Sequence, residues 1–242
     1  MKTKLIKVVL VLLVMTVVLT MAHAVIMPQT TRCMLIDFYD FEKDGNLYYR
    51  ESANLEDISL ITSILEKAKE RNRKFWGENQ SEPIFIYCET DKDYEKFGSS
   101  IMTPAAAHMS IKSFVVISND GINLDILSHE ISHTELSSRI GILNRALKIP
   151  VWFDEGIAMQ IDHRNYYSFD TLAVKSDNFK VLPDVEKMDA NQFWSGSKSE
   201  VMLNYMTAKY RISKWYSKKK IDEFVKQINE SRSLLIDLSN KL

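Results

Sequence analysis

Five consecutive residues in the middle of the chain, His129-Glu130-Ile131-Ser132-His133, combine two histidines and an acid at a spacing that can do chemistry. On an α-helix, side chains at i and i+4 project from one face, so both imidazoles can turn a ring nitrogen toward a single metal ion. Glu130 lies beside the first histidine, where its carboxylate reaches a metal-bound water rather than the metal. Chance produces the pattern about 0.007 times in a chain of this composition, which favours a zinc site over an amphipathic helix with two polar-face histidines. A catalytic zinc needs a third protein ligand and one open position. The segment Val151-Trp152-Phe153-Asp154-Glu155-Gly156-Ile157-Ala158 offers Glu155, with 21 residues between it and His133. A turn and a second helix packed on the first would bring this carboxylate to the metal; the plainer alternative is a capping carboxylate near a helix start. His163, Asp154 and Glu135 are weaker candidates, Glu135 because a residue two past His133 points off the zinc face. Asp162, seven residues after Glu155, is a candidate to orient a zinc-bound imidazole.

The elements that must position these groups can be read from periodicity. Met34 to Tyr39 reads as extended, and Leu47 to Tyr49 as a strand beyond a Lys-Asp-Gly-Asn turn. Leu55 to Trp76 is an amphipathic helix with Ile58, Ile61, Ile64, Leu65 and Ala68 on one stripe. Ile84 to Cys88 and Phe114 to Ser118 are strands, with a short helix from Lys92 to Phe97 between them. Asn119-Asp120-Gly121 punctuates the start of a helix over about Leu124 to Ile140, and Pro150 opens another through Ile161. From Glu200 onward the chain reads as helical, over Val201 to Tyr216 and then Ile221 to about Ile228, with a short tail after that. The layout is α+β: a small mixed sheet with the His129–His133 helix over residues 25–145, then a mainly helical lobe over 146–242 carrying Glu155.

The 242 residues suit one domain in two lobes, and 7 glycines and 5 prolines exclude collagen-like or low-complexity chains. A net charge of -1 gives no basic field for nucleic acid. The N-terminus is different in kind. Lys2, Lys4 and Lys7 precede an apolar run from Val8 to Met27, and Ala22-His23-Ala24 fits a signal peptidase site with cleavage after Ala24. The run is also long enough to be an uncleaved anchor to about Met27. Either reading exports the body of the chain beyond Met27, to a periplasmic, secreted or membrane-anchored position. Cleavage would leave 28 basic against 32 acidic residues, a mildly acidic body. In an oxidising compartment a Cys33–Cys88 disulfide is one expectation, and a buried strand thiol at Cys88 the other.

His129-Glu130-x-x-His133 with, downstream, Trp152-x-Asp154-Glu155-Gly156-x-Ala158 resembles the gluzincins, in particular the peptidase MA-like metallopeptidases related to thermolysin and aminopeptidase N. The resemblance covers roughly Ile84 to Ile228. It implies a thermolysin-like zincin domain in which His129, His133 and Glu155 bind zinc and Glu130 is the general base. Leu203-Asn204-Tyr205-Met206-Thr207-Ala208 resembles the tyrosine-bearing helix of related aminopeptidases, which implies Tyr205 as donor to the tetrahedral oxyanion; a core-packing tyrosine is the alternative. The acid that holds a free N-terminus in aminopeptidase N-like enzymes is absent from Ala105-Ala106-Ala107-His108-Met109-Ser110. The expected partner is a peptide or protein substrate, and the sequence specifies no oligomeric state. A zinc-binding pseudopeptidase acting as an extracytoplasmic binding or assembly module is the rival reading.

Overall fold

Gly45, with φ +56, turns strand β1 (Glu42–Asp44) back into β2 (Leu47–Tyr49), a conformation that glycine adopts without steric cost. The computed structural model describes residues 2–99 and 103–231. Asn54 accepts the Glu56 amide and starts α3 (Leu55–Trp76), which stops at Gly77, φ +91. Strand β3 (Ile84–Cys88), helix α4 (Asp91–Phe97), strand β4 (Ala105–Met109) and strand β5 (Ser113–Ser118) come next. The five-stranded sheet runs β1-β2-β3-β5-β4, with β2, β3 and β5 parallel and the two outer strands antiparallel to their neighbours.

Strands β3 and β5 are apolar on both faces because both faces are covered. Phe85, Tyr87, Val115 and Ile117 meet α3 residues Ile58, Ile61, Leu65 and Ala68 on one side. Ile86, Cys88, Phe114 and Val116 meet Cys33, Tyr94 and Phe97 on the other. After β5, Asn123 caps α5 (Leu124–Ile140), which carries the two histidines. Its first half gives Leu127 and Ile131 to the sheet's core, and its second half gives Leu136 and Ile140 to a separate helical core. That second core is built with α7 (Val151–Ala158), α10 (Lys198–Trp215) and α11 (Lys218–Glu230). Short helices α6 (Ile142–Lys148), α8 (Phe169–Lys175) and α9 (Ala190–Trp194) link them. The architecture is α+β.

Three expectations change. Met34 to Tyr39 is not extended: α2 (Pro28–Met34) and a 3-10 turn at Ile36–Phe38 occupy it, because Pro28 opens a helix whose Cys33 packs beneath the sheet. The helix from Pro150 ends at Ala158 rather than Ile161, since the Gln160 and Ile161 amides bond three residues back and tighten the last turn. Cys33 and Cys88 are both free, buried thiols, and the Cys33 thiol donates to the Phe97 carbonyl at 3.3 Å. The tail beyond Ser231 lies outside the described residues. At the other end, α1 (Lys2–Ile26) is long and apolar enough to cross a membrane by length and composition.

Candidate metal centre

Helix α5 is pinned from behind by α3. Asn72 donates to the Ser128 carbonyl at 2.9 Å and the Trp76 indole to the Ser132 hydroxyl at 3.1 Å, one on each side of the His129 turn. Helix α7 is set by α10. A Cβ at Gly156 would stand 2.6 Å from Ile212 Cγ1 and 2.8 Å from the Ala208 carbonyl oxygen, so only glycine lets the two helices close this far. Gly156→Ala should therefore cost about 1–3 kcal/mol of stability by overpacking, read as a lower urea midpoint, and should weaken metal binding by moving its neighbour Glu155. An unchanged midpoint would show that α10 can yield.

These two helices bring three donor atoms together. His129 Nε2 and His133 Nε2 are 3.1 Å apart, and Glu155 Oε2 is 3.2 Å from the first and 3.5 Å from the second. Tetrahedral zinc with ligand bonds near 2.0–2.1 Å would place its ligand atoms about 3.3 Å apart, so the triangle fits. His129, His133 and Glu155 are all buried and form a group that could hold a metal ion.

The other ring nitrogens face carboxylates. Asp154 Oδ1 lies 2.7 Å from His133 Nδ1, and Asp162 Oδ2 lies 3.7 Å from His129 Nδ1, which makes no hydrogen bond. Asp154 is paired with Arg145 and Asp162 with Arg164. Glu155, by contrast, meets only the two imidazoles among the described contacts. A buried carboxylate in that position calls for positive charge. His133 answers: burial pulls its pKa down, but Asp154 and Glu155 outweigh burial and hold it well above the ordinary range. Burial likewise opposes ionisation of Glu155, and the two imidazoles overcome it and keep the carboxyl well below its usual value.

Glu130 is half-buried on the same turn of α5. Tyr205, on α10, stands beside the site with its ring 6.4 Å from that of His129. Its hydroxyl accepts the Trp194 indole N–H at 3.1 Å, which leaves the hydroxyl proton free to be donated elsewhere. Burial, and then the Glu155 charge, raise its pKa well above the usual range.

The weaker candidates do other things. Glu135 is fully buried and accepts the Gln80 and Ser81 amides and Arg139, tying α5 to the loop after α3. His163 is exposed, and its backbone amide binds Asp125. Asp162 stands 3.7 Å from His129 Nδ1, in the loop after α7 rather than on a helical face. His108 lies on β4 with Nε2 at 2.7 Å from the Gly98 carbonyl. Burial lowers its pKa, so the unfolded chain takes up the proton first and this contribution to stability is lost as pH falls below about 6.5. The urea midpoint should drop between pH 7 and pH 5, and His108→Gln should reduce the drop; an equal drop in the variant would assign it to other groups.

Arg145, Arg164 and Tyr167 escaped the reading of the sequence. Tyr167 lies 6.2 Å from Tyr205, ring to ring, and burial pushes its pKa up to about 12. None of the three lies in an apolar repeat, and residue type and spacing alone do not mark them. Compared with known proteins, the chain matches no family model, no curated protein and no solved structure.

Proposed function

We propose that the chain is a zinc-dependent peptidase of the gluzincin kind, with a thermolysin-like arrangement of α5 and α7, working outside the cytoplasm. The observation that carries the reading is the triangle of His129 Nε2, His133 Nε2 and Glu155 Oε2, with edges of 3.1, 3.2 and 3.5 Å, beside the half-buried Glu130 on the same helix. Bound there, zinc would supply a water acidified toward a pKa of about 7 and a Lewis acid for the substrate carbonyl. Glu130 would accept a proton at its carboxylate as general base and later pass it to the leaving amine. Tyr205 donates its hydroxyl proton in a hydrogen bond to the developing oxyanion. Strand β4 is one of the two outer strands of the sheet and packs against α5; no strand pairs with its other edge among the described residues, and that edge suits an extended peptide held by main-chain hydrogen bonds. The apolar α1 serves as signal or anchor.

The test is cleavage of a peptide library by the full chain, in the presence and absence of a chelator. Internal cleavage that chelation abolishes and zinc restores supports the reading. Zinc-loaded protein that cuts nothing in a broad library would favour a binding role.

A further inference from the structure

Behind each imidazole stands a carboxylate, and behind each carboxylate an arginine. The tighter of the two series runs His133–Asp154–Arg145. Asp154 gives Oδ1 to His133 Nδ1 at 2.7 Å and Oδ2 to the Arg145 guanidinium, which reaches in from α6. Its two oxygens are thus divided, and the carboxylate is held from opposite sides. Asp154 also directly precedes Glu155 in α7, so it adds a second negative charge next to the ligand carboxylate, and Arg145 offsets that charge. The looser series runs His129–Asp162–Arg164. Arg164 Nε contacts both Asp162 oxygens at 2.9 and 3.0 Å, and its guanidinium lies over the rings of Tyr167 and Tyr166.

We propose that Arg145 is a positioning residue of the metal site: it locks Asp154, through which it fixes the tautomer and orientation that aim His133 Nε2 at the donor triangle. Arg164 plays the corresponding part behind His129, with a smaller effect because Asp162 stands 3.7 Å from the ring. A carboxylate behind a ligating histidine raises its basicity and fixes its ring, and a cation paired with the carboxylate's other oxygen holds it in place. The inference rests on His129, His133 and Glu155 being the metal ligands.

Cobalt(II) binding to the full chain in detergent micelles tests it, since the visible d–d band reports ligand geometry without any turnover. Arg145→Met should weaken cobalt binding by about 10–100-fold and shift the band, and Arg145→Lys should recover most of the loss. Asp154→Asn should match Arg145→Met, with the double variant no weaker than either single one. Arg164→Met should lose less. Arg145→Met binding within about twofold of wild type with an unchanged band, or losses that add in the double variant, would overturn the proposal. Should Arg145→Met fail to fold, the isosteric Asp154→Asn carries the same spectral test. Wild-type protein that binds no cobalt would remove the metal reading itself, whereas wild-type binding that ignores Arg145 removes only this inference.

Discussion

Glu155→Ala should empty the site. The wild-type full chain, purified without chelator, is expected to carry close to one zinc per chain by mass spectrometry, and the variant less than roughly 0.1. The size of the effect comes from the role of Glu155. It is the only anionic corner of the donor triangle, it is buried, and it belongs to a different helix from the two histidines. Without it, two imidazoles on one turn of α5 remain, and two neutral ligands compete poorly with water for a dication. The alanine also removes a buried carboxylate that opposes its own desolvation, so loss of metal need not come with loss of fold; a circular dichroism melt separates the two. Zinc retained in Glu155→Ala would mean that another group is the third ligand.

Glu130→Gln should do the reverse, keeping the metal and losing the chemistry. The substitution preserves volume and polarity but removes the proton acceptor, and general-base contributions of this kind run to about 10²–10⁴-fold. Zinc content should match wild type while the cleavage rate of any identified peptide falls by that factor. Hydrolysis that survives the change would show that Glu130 is not the base. A biological activity unaffected by Glu130→Gln would instead mark the protein as a metal-bearing binding module.

Much of the fold is legible in the sequence. Leu55–Trp76 and Leu124–Ile140 are readable to the residue, because their apolar stripes are long and their ends carry Asn54, Gly77, Asn123 and Gly141 as caps and stops. Two corners of the donor triangle are readable because i and i+4 spacing is a property of every helix; the third, Glu155, depends on how a second helix packs against the first. The hidden part is tertiary. Periodicity places Asp162 on the face of Glu155 only by extending a helix through Ile161; the helix ends earlier, and the loop sets the carboxylate beside His129 instead, held by Arg164 and by Lys209 on its carbonyl. Arg145 lies in a seven-residue helix with no buried face, and a lone arginine in such a segment resembles any solvated surface cation. Cys33 sits on a short helix, Pro28–Met34, with too few turns to show a periodic apolar stripe.

Helix α5 belongs to two cores at once, the sheet's through Leu127 and Ile131 and the helical one through Leu136 and Ile140. The donor atoms sit across that seam, with the histidines on the shared beam and Glu155 on the helical side. An ion gripped there would act as a rivet. It would tie the two halves of the molecule together, so that the metal-bound protein is expected to melt as one unit.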